Sequence, residues 1–288
     1  MVDKEEGWTS HDVVGKMRRL ANTRRIGHLG TLDPIATGVL PLVIGRATRL
    51  AQFYIRSDKI YEAVIRFGFA TDTYDRSGAP ASPASEICVT AEQVESALEN
   101  FRGEILQTPP PVSAKKVDGQ RAYALARRRV TVDLPPSPVH IYDLQLLGAA
   151  GREARVRAHC SGGTYMRSIA HDMGVALGCG AHLRDLRRVS SAEFSLAQAH
   201  TIQQLEQLAG EGRLEDVLIS SAHLLPDFPT VYVETSSAGR IRQGRNFPVS
   251  PFRVQQGSRY VKAVTGEGEL IAIGEAVLPN LYHPAVVL

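Results

Sequence analysis

An aspartate set at a forced bend is the first feature of the sequence that could do chemistry: Gly27-His28-Leu29-Gly30-Thr31-Leu32-Asp33-Pro34. The glycines admit tight or positive-φ backbone, and Pro34 drives Asp33 out of the helical region, which displays the carboxylate at a defined turn. Such a group can serve as a nucleophile. Asp33 as a helix N-cap with Pro34 at the first helical position explains the same dipeptide, and local features alone favour capping, since capping carboxylates outnumber catalytic ones. A second string, Cys160-Ser-Gly-Gly-Thr-Tyr165-Met-Arg167-Ser-Ile-Ala-His171-Asp172, joins a strand end to a helix start. A guanidinium at Arg167 could pair with a carboxylate from another segment and keep it ionised in a partly desolvated site. A surface arginine, or one holding a phosphate, fits the spacing equally well. Tyr61 and Tyr165 could stack on a base, although a tyrosine on an amphipathic strand is more often core.

The elements that must position these groups can be read in outline. Ser10 serves as N-cap for a helix reaching about Ala21, with Val13, Val14, Met17 and Leu20 on one face and a basic face outward. Residues 59 to 69 alternate as a strand, with Tyr61, Ala63, Ile65, Phe67 and Phe69 on one side. Thr90 and Gln93 form a capping box before a helix carrying Val94, Leu98 and Phe101. Pro109-Pro110-Pro111 forces extended chain, and 121–128 reads as a short helix. Strands follow near 130–132, 139–147 and 155–159, then a helix over 165–177. Helical patterns at 201–209 and 214–224 precede a punctuating Pro226-Asp-Phe-Pro229. Beyond it lie strand-like segments at 230–234, 259–265 and 269–277 and a short helix at 237–243. Mixed elements without a regular βαβ rhythm predict an α+β fold, divided into a first domain at 1–228 and a small β-rich one at 229–288.

With 288 residues, 43% of them hydrophobic and 22% charged, the chain sits in the range of folded globular proteins. No apolar run approaches the roughly 18 residues of a membrane-spanning helix, and the first residues lack a secretory layout, so a cytoplasmic protein is expected. Cys88, Cys160 and Cys179 are widely spaced and form no CxxC pair, which indicates neither a zinc site nor a disulfide framework. The net charge is only +3, yet residues 1–56 carry nine Lys/Arg against five Asp/Glu. Basic clusters at 16–25, 115–116, 127–129 and 184–188 suit a polyanion, while a solvated charged face is as common an explanation of any one cluster.

Taken together these strings resemble the tRNA pseudouridine-55 synthase (TruB) family. The matching stretches are Lys4 with Gly7-Trp-Thr-Ser10, GHLGTLDPIATGVLPLVIGRATR from Gly27 to Arg49, and Lys59-Ile-Tyr61-Glu-Ala. They continue with FRGEILQTPPPVSAKKVDGQRAYALAR from Phe101, CSGGTYMRSIAHDMGVALGCGAHLRDLRR from Cys160, and Ser236 to Gly244. The resemblance implies a pseudouridine-synthase fold with a central mixed β-sheet, followed by a PUA-type RNA-binding domain. It sets the nucleophilic aspartate at Asp33, its salt-bridged arginine at Arg167 and the base-stacking tyrosine at Tyr61. His28, Tyr165 and Leu186 become further substrate-lining positions, and Lys4, Arg187 and Arg188 candidate RNA contacts. The expected reaction isomerises a uridine in the T-loop of tRNA, after flipping it out of its stack at a cost of roughly a few kcal/mol. Attack at C6, attack at C1′ and a glycal-type route remain open, with Tyr61 the candidate to take the C5 proton. Neither a metal nor an organic cofactor is expected, and a monomer suffices.

Glu5 and Leu29 depart from the family's usual residues beside the site, without replacing a chemical group. A non-catalytic tRNA-binding chaperone would share the basic surface, but binding alone gives no reason for a buried carboxylate near an anionic ligand. A guide-RNA-dependent synthase is the other alternative, against which stands the absence of long basic tails. A phosphate-binding loop at 27–30 ranks last, since neither GxxxxGK[ST] nor GxGxxG occurs.

Overall fold

The computed structural model describes residues 1–113, 116–117, 120–121, 134–250 and 257–288. The helix expected at 121–128, the strand expected at 130–132 and the basic clusters near 115 and 127–129 lie outside the described residues, apart from the ends of one two-stranded ribbon. The strands in chain order are β1 (Val2–Lys4), β2 (Ile26–His28), β3 (Ala36–Leu40), β4 (Leu42–Ile44), β5 (Lys59–Phe67), β6 (Gly103–Gln107), β7 (Lys116–Val117), β8 (Gln120–Arg121) and β9 (Ser137–Ala150). They continue with β10 (Glu153–Cys160), β11 (Ala181–Ser191), β12 (Phe194–Ser195), β13 (Thr230–Val233), β14 (Phe247–Pro248), β15 (Tyr260–Thr265), β16 (Leu270–Leu278) and β17 (Leu281–Val287). The helices are α1 (Ser10–Leu20), α2 (Ala51–Tyr54), α3 (Ala91–Glu99), α4 (Met166–Ala176), α5 (Ile202–Gly210) and α6 (Thr235–Arg242).

The chain forms two compact units. The first comprises 1–13, 30–41 and 55–201 and is built on a mixed sheet in the order β1-β3-β11-β5-β10-β9-β6, with β12 appended to β11. Every neighbouring pair runs antiparallel except β3 with β11, whose parallel register sets Leu186 opposite Ala36 and Arg188 opposite Gly38. Gly38 has φ 101°, and a Cβ there would stand 2.2 Å from the Arg188 carbonyl, so this close parallel crossing admits only glycine. Along β5 every second residue is buried, including Tyr61, Ala63, Ile65 and Phe67, which is the period-two pattern of a sheet with one face packed. The capping box at Thr90 and Gln93 forms as expected and starts α3.

The second unit gathers 14–29, 42–54 and 202–288. Its larger sheet runs β13-β15-β16-β17-β14, and α6 helps close a core of Val231, Ile241, Phe247, Val261, Ile271 and Tyr282. A small β2–β4 pairing carries His28 opposite Leu42. Phe53 packs edge-on against Phe228 and Tyr260, with ring centroids 5.5 and 5.3 Å away, and the Leu225 amide donates to the Tyr54 hydroxyl at 3.0 Å. Arg49 donates to the Val287 carbonyl at 2.7 Å, and buried Lys262 donates to the carbonyls of Ala222 and Leu224. Segments 42–54 and 202–228 thus share side-chain packing with the C-terminal sheet.

Two local expectations are corrected. The 214–224 stretch is not one helix but two short 3-10 turns, Leu214–Val217 and Ser221–His223, because Leu218 and Ile219 stay exposed and no apolar face is buried. Thr9, not Ser10, caps α1: the Asp12 amide donates to the Thr9 hydroxyl, while the Thr9 amide and hydroxyl donate back to the Asp12 carboxylate. Ser10 is buried and its hydroxyl is engaged elsewhere.

Candidate active site

The loop 30–34 between the two β segments has no ladder partners, so its backbone carbonyls need other donors. Each finds one. Arg188, 1% exposed, donates through Nη2 to Gly30 at 3.0 Å, through Nη1 to Thr31 at 3.3 Å and through Nε to Val39 at 2.7 Å. Ser10 accepts from the Leu32 amide at 2.8 Å and donates to the Leu32 carbonyl at 3.2 Å. The Asp33 carbonyl accepts from the Ala36 amide, and the Pro34 carbonyl from the Gly7 amide and, at 3.4 Å, from Lys4. Lys4 is fully buried and also donates to the carbonyls of Glu5 and Trp8. The expected bend therefore exists, but it leads into β3 and not into a helix, which removes the capping explanation of Asp33.

The carboxylate of Asp33 meets Arg167, in the first turn of α4: Oδ1 accepts a hydrogen bond from Nη2 at 3.1 Å, while Oδ2 lies 2.9 Å from Nε as a charge contact without hydrogen-bond alignment. The Arg167 side chain is 5% exposed and that of Asp33 is 33% exposed, so the anion faces an opening while its partner is enclosed. Three further groups hold the guanidinium: the Val112 carbonyl at 2.9 Å, the Thr73 carbonyl at 3.2 Å and the buried Asp75 carboxylate at 3.7 Å. Burial pushes the Asp33 carboxyl above its ordinary value, Arg167 pulls it down, and the charge of Asp75 pushes it up again. The net direction is upward, because burial, aided by the charge of Asp75, outweighs the pull of Arg167. Asp75 was not singled out in the sequence; its only local signal is the polar turn Thr71-Asp72-Thr73-Tyr74-Asp75, which resembles many exposed turns.

Tyr61 and Tyr165 both lie within electrostatic reach of Asp33. Tyr61 is buried on β5, its hydroxyl engages Arg188, and burial raises its pKa, so the phenol remains protonated. Tyr165 precedes α4, and the Gln107 side chain pins it on both sides, accepting from its amide at 2.7 Å and donating to its carbonyl at 3.1 Å. Leu186 lies on β11 and, with Thr37, Glu62, Arg155 and Arg187, lines a shallow cleft of about 320 Å³. His28 belongs to the other compact unit, on β2. Arg187 is 40% exposed and pairs with Asp3 at 2.7 Å. Lys4 and Arg188, the other two candidate RNA contacts, are both enclosed, with their charges directed at backbone carbonyls of the Asp33 loop. Burial lowers the Lys4 pKa to about 8. Among the described residues no cluster of His, Cys, Asp or Glu could hold a metal ion, and no helix is long and apolar enough to cross a membrane.

Mixed sheet, clamped loop and ion-paired aspartate together give the first unit a carboxylate of fixed position beside an opening. Residues 18–166 match the TruB family pseudouridylate synthase N-terminal domain, and residues 167–226 match the tRNA pseudouridylate synthase B C-terminal domain. The chain belongs to the TruB family of pseudouridylate synthases. It is 65% identical to the tRNA pseudouridine synthase B of Solibacter usitatus over 288 residues, covering 100% of this chain and 98% of that protein. The corresponding protein of Aquifex aeolicus is 38% identical, with 94% of each chain covered. Among solved structures, a Cbf5-Nop10-Gar1 complex matches at TM-score 0.72 and 26% identity, over 97% of this chain and 78% of that one. An H/ACA RNP bound to a substrate RNA containing 2'-deoxyuridine shares the fold at TM-score 0.72 and 23% identity.

Proposed function

We propose that the protein isomerises uridine 55 in the T-loop of tRNA to pseudouridine, with Asp33 as the reacting carboxylate. The observation that carries this reading is the Asp33–Arg167 ion pair on a fully clamped loop, in a chain of this family. The reaction breaks the N1–C1′ bond, turns the uracil, forms C5–C1′, and returns the C5 proton to solvent while N1 gains one. No electrons are exchanged, so the work falls to a carboxylate of fixed position and charge. Arg167 keeps Asp33 ionised against the pressure of burial, and the solvent-facing part of Asp33 is where a flipped base would arrive. Tyr61, kept protonated, suits stacking under the base better than taking the C5 proton. His28, Tyr165 and Leu186 complete the substrate-lining set in this proposal, and Arg187 is the RNA contact. Lys4 and Arg188 act on the RNA only through the loop they hold.

We further assign the chemistry to 1–228 and RNA binding to 229–288. The five-stranded sheet and its basic helix α6, with Arg240 and Arg242, support a PUA-type role. A single chain then serves one tRNA as a monomer in the cytoplasm. The deciding experiment is tritium release from C5-labelled uridine in an unmodified tRNA transcript, with the modified position mapped. Release from the T-loop uridine by wild type, and none by Asp33→Asn with tRNA binding intact, is expected. Tight tRNA binding with no release by the pure protein would favour a chaperone or guide-dependent role.

A further inference from the structure

Between the two groups by which the loop 71–78 holds Arg167, the Thr73 carbonyl and the Asp75 carboxylate, stands Tyr74. Its backbone has φ 64°, a conformation that non-glycine residues avoid and that glycine would adopt without cost. The chain nevertheless carries a large ring there. That ring lies face to face on the imidazole of His171, with centroids 3.7 Å apart and planes 8° from parallel. His171 follows Arg167 by four residues on α4, so the two side chains leave the same helix face one turn apart. Nδ1 of His171 is buried and has no hydrogen-bond partner among the described residues, so no hydrogen bond at that nitrogen competes with the stack in orienting the ring. Burial lowers the imidazole pKa and keeps it neutral, as a stacked ring should be. The loop is tied on its other side to β11, where the Leu183 amide donates to the Tyr74 carbonyl and the Arg76 amide to the Leu183 carbonyl, both at 2.9 Å.

We propose that Tyr74 and His171 are a positioning pair: their stack sets the register between the loop 71–78 and α4, so that Thr73 and Asp75 hold the Arg167 guanidinium in the orientation that pairs with Asp33. Neither ring touches the reacting carboxylate. The proposal rests on Asp33 being the reacting group, and it gives the left-handed tyrosine a reason that the turn alone does not.

Three variants test it in tritium release from the tRNA transcript, with kcat and KM resolved and the pH profile followed. Tyr74→Phe keeps the ring, Tyr74→Gly relieves the backbone and removes the ring, and His171→Leu removes the stack from the other side. Tyr74→Phe should match wild type, whereas Tyr74→Gly and His171→Leu should each lose about tenfold in kcat with KM nearly unchanged. The groups facing Asp33 are Arg167 from α4, Asp75 from the loop and Lys4 from β1. Loosening Arg167 removes its lowering influence, so the acid limb of kcat should move to higher pH in both variants. The double variant should be no worse than either single one. Wild-type rate and limb in Tyr74→Gly would overturn the proposal, as would a lower rate with an unmoved limb and a lower Tm. If Tyr74→Gly does not fold, His171→Leu carries the same test alone. An inactive wild type would bring down the activity assignment and this role with it, whereas an active wild type with indifferent variants brings down the pair alone.

Discussion

Asp33 is held in a state that costs stability. Its folded pKa is raised above the ordinary carboxylate value, so the folded chain binds its proton more tightly than the unfolded chain does. The stabilising contribution is complete below the unfolded pKa and is lost as pH rises through the folded one. Asp33→Asn should therefore melt above wild type at pH 8, and the gap should shrink toward pH 5 in calorimetry. A variant melting below wild type at pH 8 would mean that Arg167 outweighs burial. For the same reason the acid limb of wild-type turnover should lie above the usual carboxylate range. The pairing of Asp33 with Arg167 was expected from the family resemblance, carried by the Gly-rich string ending in Asp-Pro and the arginine just inside a helix. Burial was not. Lys4 and Arg188 read as RNA contacts because nothing in a linear string says that a cation's acceptors are carbonyls brought from distant segments. Asp75 escaped notice for the complementary reason, its partner being on another element.

Elements position the carboxylate through two devices that single mutations can separate. Ser10→Ala removes the donor to the Leu32 carbonyl and the acceptor of its amide, and leaving buried backbone groups unpaired should cost about 1–3 kcal/mol. Chemical denaturation checks the stability loss, and a fall in kcat larger than the change in tRNA affinity would show that the loop has lost its placement. Gly38→Ala should be worse, because the added Cβ collides with the Arg188 backbone and no side chain can move aside. It is expected to unfold the first unit or to lower its midpoint strongly, on the order of 4 kcal/mol. A near-native midpoint would show that the β3–β11 crossing relaxes easily. The alternating β5 and the Thr90 capping box were readable from their periodicity and spacing. β11 was not read as a strand, since Leu183, Leu186 and Val189 are interrupted by charges and its register shifts near 183–185 and 188–190. A strand whose identity depends on both neighbours leaves little local trace.

For the whole molecule, a sequence break at 228 and the compact units of the fold describe different things. Removing 229–288 takes away the Tyr260 ring beside Phe53, the Val287 acceptor of Arg49, and the Lys262 ties to 222 and 224. A 1–228 chain should bind tRNA more weakly, with a smaller salt dependence, and its amides at 42–54 should exchange faster with solvent. Unchanged exchange there would mean that the aromatic cluster adds nothing to that segment. Turnover of a T-arm fragment by the truncated chain should survive; total loss would contradict assigning the chemistry to 1–228.

The parallel pairing of β3 with β11 also sets an order in time. Arg188 clamps the Asp33 loop from 149 positions away from its Val39 partner, so a chain growing from its N-terminus makes Asp33 long before it makes the residue that holds its loop. Closing so long a loop is slow, and contacts of this span reward the chain only after the entropy has been given up. The nascent protein thus passes most of its synthesis with an unclamped, solvated Asp33 of ordinary acidity. Competence should appear abruptly once the strand containing Arg188 has left the ribosome, and chains stalled before that point should be inert toward RNA chemistry.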